Sequence, residues 1–289
     1  MSNTIELAKS FVPKLDECYR LASLTSVLDG APELAKQGAN ANELIIPMMS
    51  MDGLADYSRN GGYVQGGVTM TNETVKCNFD RGRRFDVDVM DDLETAGLAF
   101  GRLSAQFIRD KVVPELDAFR FASYCGISGV TKKEETLSDG AATVAALSAA
   151  VTAMDDEEVT ATGRYLFITP TLLQGIDDMD TTKSKKVLEG FERVIKVPQR
   201  RFYTAIKQLS GKTGEEVGGY TKATGAANIN FAIVQKDALI QYTKHAAPKI
   251  IAPENNPDAD AYVFGYRMVG IAKAYKNMLS GMYFSHDKA

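Results

Sequence analysis

The sequence contains few of the residues on which most enzymatic and metal-binding sites depend. Its two histidines, His245 and His286, lie far apart, and its three cysteines, Cys18, Cys77 and Cys125, form no C-x-x-C pair. Histidine is the usual general base and a frequent metal ligand, while zinc sites need closely spaced cysteine and histidine ligands. The sequence therefore gives little support for histidine- or cysteine-based chemistry, and its sparse cysteines are typical of a reducing cytoplasm.

The sequence also lacks an excess of positive charge. It includes 33 lysines and arginines against 37 aspartates and glutamates, which gives a net charge of −4. A protein that grips nucleic acid electrostatically needs a basic surplus, and the only dense basic clusters lie at residues 81–84 and 199–201. We therefore expect only weak, non-specific contact with DNA.

Long apolar runs are missing as well. No segment approaches the roughly 18 apolar residues that a membrane-spanning helix needs, so no membrane association is expected. The opening residues, MSNTIELAKSF, lack the basic-then-apolar order of a signal peptide. The chain has 289 residues, of which 45% are hydrophobic and 24% charged. These values are typical of a soluble, packed protein with one large or two modest domains.

The pattern of elements predicts an α+β fold without a series of βαβ units. Alternation over residues 84–89 predicts a half-buried strand. Asp91 and Glu94 form a capping-box pattern that predicts the start of a long helix, and its apolar stripe continues to Phe107. Pro114 is expected to kink this helix because it removes a backbone donor. A second helix is predicted at residues 141–154. Further strands are predicted at residues 164–169, 191–197, 229–233 and 261–275, and a final strand ends near residue 284.

Two segments have too little apolar surface to form a core of their own. Residues 50–68 are rich in glycine and lie between predicted strands at 43–48 and 69–79, whereas residues 211–227 are rich in glycine, threonine and lysine. Unstructured loops of this length are uncommon in compact domains unless they are functional or disordered, and a lone hairpin is at best marginally stable in water. The first segment therefore predicts an extended hairpin that lies on another surface, for which a neighbouring copy of the protein is the obvious candidate.

Tyrosines and charged residues in these loops are candidates for contacts between subunits. Four tyrosines fall in the predicted loops, and several tyrosines on loops without a core favour an interface over incidental exposure. The candidates near the hairpin tip are Asp56, Tyr57, Arg59 and Tyr63.

Carboxylates on the strand at residues 84–89 allow three interpretations. Asp86 and Asp88 share one face of the strand and together have the oxygen ligands that a divalent cation prefers. The favoured interpretation is a solvent-facing strand, because carboxylates alone rarely define a catalytic site. The third hypothesis is that they pair with Arg81, Arg83 and Arg84 of a neighbouring subunit.

The order of several short phrases along the chain is more specific than any one of them. The phrase V-V-P-E-L-D occurs at residues 112–117, F-I-T-P at 167–170 and I-K-V-P at 195–198. They follow a helical pattern at residues 5–24 and the predicted hairpin at 44–79. In this order, and across nearly the whole chain, the sequence resembles the major capsid proteins of tailed bacteriophages.

This resemblance implies a Hong Kong 97-type fold and the function of a shell subunit. The implied parts are an N-terminal arm at residues 1–43 and an extended-loop hairpin at residues 44–80. A peripheral domain with a long spine helix would comprise residues 81–127 and 249–289, and an axial domain would comprise residues 128–248. The hairpin would lie over an adjacent subunit, the arm would reach another neighbour, and the 211–227 loop would lie near a symmetry axis. Hexamers and pentamers would close into an icosahedral head around double-stranded DNA, and Pro114 would be a flex point of the spine helix during maturation.

The resemblance also implies partners and a location. Because the chain starts at the arm without a long charged prodomain, a separate scaffolding protein is expected, with a portal protein and possible decoration proteins. The subunit would be assembled in the host cytoplasm and reside in the virion, with no enzymatic activity and no cofactor. The alternatives are an encapsulin-like nanocompartment shell, a tail or decoration protein, and a metal-dependent enzyme that uses Asp86 and Asp88.

Overall fold

The computed structural model describes residues 23–30, 36–37, 43–90 and 98–288. Of the helix predicted over residues 5–24, the part up to residue 22 lies outside these residues, and residues 23 and 24 are not helical. The capping box of Asp91 and Glu94 also lies outside the described part of the chain. The strands are β1 (Lys36–Gln37), β2 (Glu43–Met51), β3 (Val68–Lys76), β4 (Phe79–Asp88), β5 (Thr131–Glu134), β6 (Arg164–Ile168), β7 (Arg193–Lys196), β8 (Ile206–Gln208), β9 (Tyr220–Lys222), β10 (Ile229–Gln235), β11 (Leu239–Ile251), β12 (Ala261–Ala274) and β13 (Met282–His286). The helices are α1 (Leu98–Phe107), α2 (Val113–Gly126), α3 (Gly140–Asp156), α4 (Pro170–Asp178) and α5 (Thr182–Glu189).

The largest sheet has five strands in the order β5-β13-β10-β6-β7. Every residue of β6 and β10 is buried, which is expected for strands that are covered on both faces. Along β6 the side chains alternate between two cores. Tyr165 and Phe167 pack with Phe121 of α2, whereas Leu166 and Ile168 pack with residues of α3 and α4.

The second sheet, β11-β12-β4, packs one face against the long helix. Phe79 of β4 and Phe264 of β12 share a core with Ile108 and Leu116 of that helix. The ring of Phe107 lies 4.8 Å from that of Phe85, so aromatic packing fixes the helix on the sheet. The mixed helix-and-sheet architecture that the sequence predicted is confirmed.

The long helix, called the spine helix here, runs through α1, a π-helical turn at Ile108–Val112 and α2. The N–H of Val113 donates to the carbonyl of Ile108, and Pro114 follows in the first turn of α2. The interruption predicted at Pro114 therefore takes the form of a π turn directly before the proline. Such turns are rare and often mark functional positions.

One parallel βααβ crossover joins β6 to β7 through α4 and α5, which agrees with the prediction that the fold has no series of βαβ units. Two predicted features differ from the structure. Residues 211–227 contain a short strand, β9, that pairs with β8. Residues 23–30, which the predicted arm included, pack in the core instead, because Leu28 is 1% exposed and lies beside Phe121.

The predicted domain division does not follow the sheets. Its boundary at residue 248 falls inside β11, which pairs along its length with β12. The final strand β13, which the division placed in the peripheral domain, lies beside β10 in the five-stranded sheet.

Candidate assembly surfaces

The strands β2 and β3 form a hairpin that projects an apolar face. Their antiparallel register pairs Met49 with Met70 and Met51 with Val68, so the four side chains share one face of the hairpin. Each of them is between 58% and 68% exposed. We call these four residues the methionine face. No other described part of the chain covers it, and a contiguous exposed apolar patch of this kind typically marks an interaction site.

The opposite side of this end of the hairpin is polar. Ser50 and Thr69 pair directly and are both exposed, and they alternate along the strands with the methionine face. This end of the hairpin therefore has one exposed apolar side and one exposed polar side.

Main-chain hydrogen bonds order the glycine-rich tip. Ser58 and Gly62 exchange two N–H to carbonyl bonds, and Gly62 has a φ of +76°, which glycine adopts at no steric cost. The rings of Tyr57 and Tyr63 lie 4.9 Å apart, and Tyr63 is 90% exposed. The structure thus brings two of the four predicted contact residues together, while Asp56 and Arg59 lie exposed beside them.

The root of the hairpin is fixed to the rest of the subunit. Val75 is 2% exposed and packs with Ile240 and Ile271 of the second sheet. The short strand β1 pairs with β2 near this root. The hairpin is therefore anchored at its base, whereas its distal half carries exposed apolar side chains.

Two of the predicted contact arginines bind a loop of their own chain. Arg81 donates to the carbonyl of Leu209 at 2.7 Å and pairs with Glu115 of α2 at 2.8 Å. Arg83 donates to the carbonyl of Glu216 at 2.8 Å. Both arginines face the spine helix, since their register partners on β12 are Met268 and Tyr266, which pack in that core.

The loop held by these arginines is ordered by a further carboxylate. Glu215 accepts hydrogen bonds from the ammonium of Lys207 and from the N–H of Ser210, and these contacts lower its pKa to about 2. Residues 209–219 thus form a hydrogen-bonded loop beside β4, with Val217 exposed on it.

Arg84, Asp86 and Asp88 lie on the face of β4 that points away from the spine helix. Arg84 pairs with Asp86 at 2.8 Å, and this contact raises the pKa of the arginine. Asp88 accepts a hydrogen bond from the N–H of Met90. The predicted pairing with a neighbouring subunit's arginines stays a prediction.

A neighbouring ion pair lies on the same face of the sheet. Arg267 of β12 forms two hydrogen bonds with Asp80, and these lower the pKa of the carboxyl group. Among the described residues, no group of three or more histidine, cysteine, aspartate or glutamate side chains is placed to hold a metal ion. This face is therefore a surface of alternating charge.

Sequence reasoning missed a buried polar network on α2. Asp117, Arg120 and Tyr124 lie at helical spacing on one face and are at most 2% exposed. Burial raises the pKa of Tyr124 far above its usual range, and its hydroxyl donates to Gln241. The only signal in the sequence was this spacing, which is equally typical of a solvent-facing stripe.

In the part of the chain that the structure describes, no helix combines the length and apolar character needed to cross a membrane.

Comparisons with known proteins identify the fold. No protein-family model matches the sequence, and no curated protein matches it. The chain is similar to a virus-like particle from Pyrococcus furiosus, with 10% identity and a TM-score of 0.59 over 97% of this chain and 99% of that chain. It is similar to the capsid structure of cyanophage P-SCSP1u, with 11% identity and a TM-score of 0.57 over 87% and 85% of the two chains. It is also similar to the capsid of Myoviridae phage XM1, with 9% identity and a TM-score of 0.55 over 92% of each chain. The chain therefore has the fold of tailed-phage capsid proteins.

Proposed function

We propose that this protein is the structural subunit that self-assembles into the icosahedral head of a tailed bacteriophage and encloses its double-stranded DNA. The observation that carries the proposal is a fold similar to that of a phage capsid over 87% of this chain, with a hairpin that projects the exposed methionine face. Exposed apolar patches of this kind are uncommon on monomers, and a second copy of the subunit would cover this one. The protein acts by assembly and is not an enzyme.

The finer architecture that we propose is of the Hong Kong 97 type. The peripheral domain consists of the spine helix with β4, β11 and β12, which share one core. The axial domain contains α3, α4 and α5 packed on the five-stranded sheet. This assignment moves β13 from the peripheral to the axial domain, because it pairs with β10. The hairpin is the extended loop that lies over an adjacent subunit.

The partners follow from this role. Copies of the chain form hexamers and pentamers, and many weak interfaces become strong in a closed shell through avidity. A scaffolding protein and a portal protein complete the head, to which decoration proteins can bind, and the head forms in the host cytoplasm and becomes the virion. Packaged DNA makes only weak contact with a subunit whose net charge is −4.

Electron microscopy of the expressed protein tests the proposal directly. The protein is expressed alone and together with the products of its neighbouring genes, and the particles are examined by negative staining. We expect closed icosahedral shells, or rings of six and five subunits. Uniform small oligomers in every combination would contradict the proposal.

A second candidate is the shell of an encapsulin-like nanocompartment, because one of the similar structures is a virus-like particle rather than a phage head. Both candidates predict closed shells. They differ in content, since a nanocompartment co-purifies with a cargo enzyme, whereas a phage head takes up a portal and DNA. Mass spectrometry of purified shells distinguishes them.

The methionine face provides a sharper test of the interface. We expect Met49→Lys with Met70→Lys to abolish assembly, because two charges would have to be buried at the contact. The matched control is Ser50→Lys with Thr69→Lys, which adds the same charges on the polar side of the same hairpin. Sedimentation velocity measures assembly, and circular dichroism checks that the subunit is folded. Equal assembly of the two double variants would exclude the methionine face as a contact.

A further inference from the structure

Residues 23–30 enter the core of the subunit although they contain only a short 3-10 turn, Ser26–Leu28. Regular backbone pairing therefore does little to hold them. Their fixation comes from the buried side chain of Leu28, from Leu24 and Val27, which pack partly buried against the same core, and from hydrogen bonds to side chains of α2 and β11. Apolar packing and directional polar contacts therefore hold the segment together.

Asp117 of α2 is the centre of these contacts. Its carboxylate is fully buried and accepts hydrogen bonds from the hydroxyls of Ser23 at 2.9 Å and Thr25 at 2.7 Å. It also accepts from the backbone N–H groups of Leu24 at 3.2 Å and Thr25 at 3.3 Å. Arg201 donates to it at 3.2 Å. A buried carboxylate is tolerated when it is paired and hydrogen-bonded in this way.

A second set of contacts holds the other end of the segment. Arg120 donates to the hydroxyl of Thr25 at 2.8 Å and to the carboxylate of Asp29 at 3.1 Å. Gln241 of β11 donates to the carbonyl of Thr25 and to Asp29, both at 2.7 Å. The N–H of Gly30 donates to the carbonyl of Gln241. Such connected networks specify one geometry, because a half-satisfied alternative leaves buried polar groups without partners.

Residues 23–30 lie between the N-terminal residues and the hairpin in the sequence, so the network fixes the chain between these two parts. Residues 1–22 precede the segment, and β1, which pairs with β2 of the hairpin, follows it. The segment is therefore a fixed point between the N-terminal residues and the extended hairpin, and its attachment lies on α2, directly beyond the π turn of the spine helix.

We propose that Asp117 and Arg120 form a latch that holds residues 23–30 of the same chain on the spine helix. We call this set of contacts the N-terminal latch. It fixes residues 23–30 to the spine helix, so that they follow a movement of that helix during assembly. Only this last consequence, for assembly, rests on the proposed function.

Hydrogen exchange in unassembled subunits tests the latch without any requirement for shells. The first variant is Asp117→Asn, whose amide keeps the shape but replaces an acceptor oxygen with a donor. The second is Ser23→Ala with Thr25→Val, which removes the hydroxyls and leaves the helix intact. The control is Ser26→Ala, whose hydroxyl donates to the carbonyl of Ser23 inside the segment.

We expect the amides of residues 24–30 to exchange about tenfold faster or more in the first two variants, since each lost buried hydrogen bond weakens the attachment on that scale. Exchange in β6 and β10 and in the control variant should stay as in the unaltered protein. Unchanged exchange in residues 24–30 would overturn the proposal. A uniform rise across the chain would overturn it too, because that is a loss of global stability.

Electron microscopy of the same variants tests the consequence for assembly. We expect irregular or open particles from both latch variants and regular shells from the control. If the latch variants exchange faster but form regular shells, the latch does not direct assembly and that part of the proposal fails. If the unaltered protein forms no shells at all, the proposed function fails, while the exchange data still decide the latch.

Discussion

Phe121 of α2 is fully buried and joins the spine helix to the five-stranded sheet. Its ring lies 5.2 Å from that of Phe167 on β6 and 4.8 Å from that of Phe202. Aromatic side chains contribute strongly to cores because they bury large areas and prefer such edge-to-face contacts. Tyr63 at the hairpin tip is the opposite case, since it is 90% exposed. We therefore expect Phe121 to contribute to the stability of the subunit, whereas Tyr63 is free to contribute to contacts between subunits.

We expect Phe121→Ala to lower the free energy of unfolding by about 3–5 kcal/mol, because it removes apolar contacts and leaves a cavity. Tyr63→Ala should change it by less than about 0.5 kcal/mol. Urea denaturation followed by circular dichroism measures both values. A small effect of Phe121→Ala would mean that the core around α2 collapses to fill the cavity.

Residue-level prediction from the sequence succeeded where burial follows local pattern and failed where it depends on distant segments. The exposure of Tyr57 and Tyr63 followed from the lack of apolar residues around them. Asp117 and Arg120 gave no such signal. Their burial depends on residues 23–30, which lie more than 85 positions earlier in the chain and meet α2 only in the folded protein.

At the level of elements, the sequence predicted most strands and the spine helix but not which strands share a sheet. Alternation and apolar stripes are local properties, so β4, β6, β10 and β12 were recognisable. Sheet membership is not local. Asn78, for example, exchanges two hydrogen bonds with the backbone of Ala272, which lies 194 positions further along the chain. For the same reason the place of β13 beside β10 was not predicted.

The π turn before Pro114 is the element-scale feature that we expect to matter for maturation. With Pro114→Ala, position 114 regains a backbone donor, which favours regular α-helical bonding through the turn. If Pro114 is a flex point, shells of this variant should expand more slowly, while the subunit keeps its secondary structure. The control is Val112→Ala, which shortens a side chain in the same turn and leaves the backbone donors unchanged. Time-resolved measurement of shell diameter provides the comparison, and expansion at the unaltered rate would place the flex point elsewhere.

At the level of the whole molecule, the net charge of −4 means that there is no overall excess of positive charge to attract DNA. The basic cluster at residues 81–84 is largely neutralised within the chain, because Arg81 pairs with Glu115 and Arg84 with Asp86. Exposed pairs of this kind contribute little to stability. Their consequence is that the outer face of β4 presents both signs of charge, which suits a specific contact between subunits better than a grip on nucleic acid.

Charge reversal on that face tests the predicted contact with a neighbouring subunit. Asp86→Lys with Asp88→Lys changes the net charge from −4 by +4. The matched control, Asp156→Lys with Glu157→Lys, makes the same change at the exposed end of α3. If Asp86 and Asp88 face arginines of a neighbour, the first variant should raise the concentration needed for assembly by about tenfold or more, because like charges then meet at the contact. Light scattering against protein concentration measures this threshold. In the unaltered protein the threshold should also rise with added salt, since exposed charges are screened. Equal thresholds for the reversal variant and the unaltered protein would remove these carboxylates from the interface, and equal shifts in both variants would assign the effect to net charge alone.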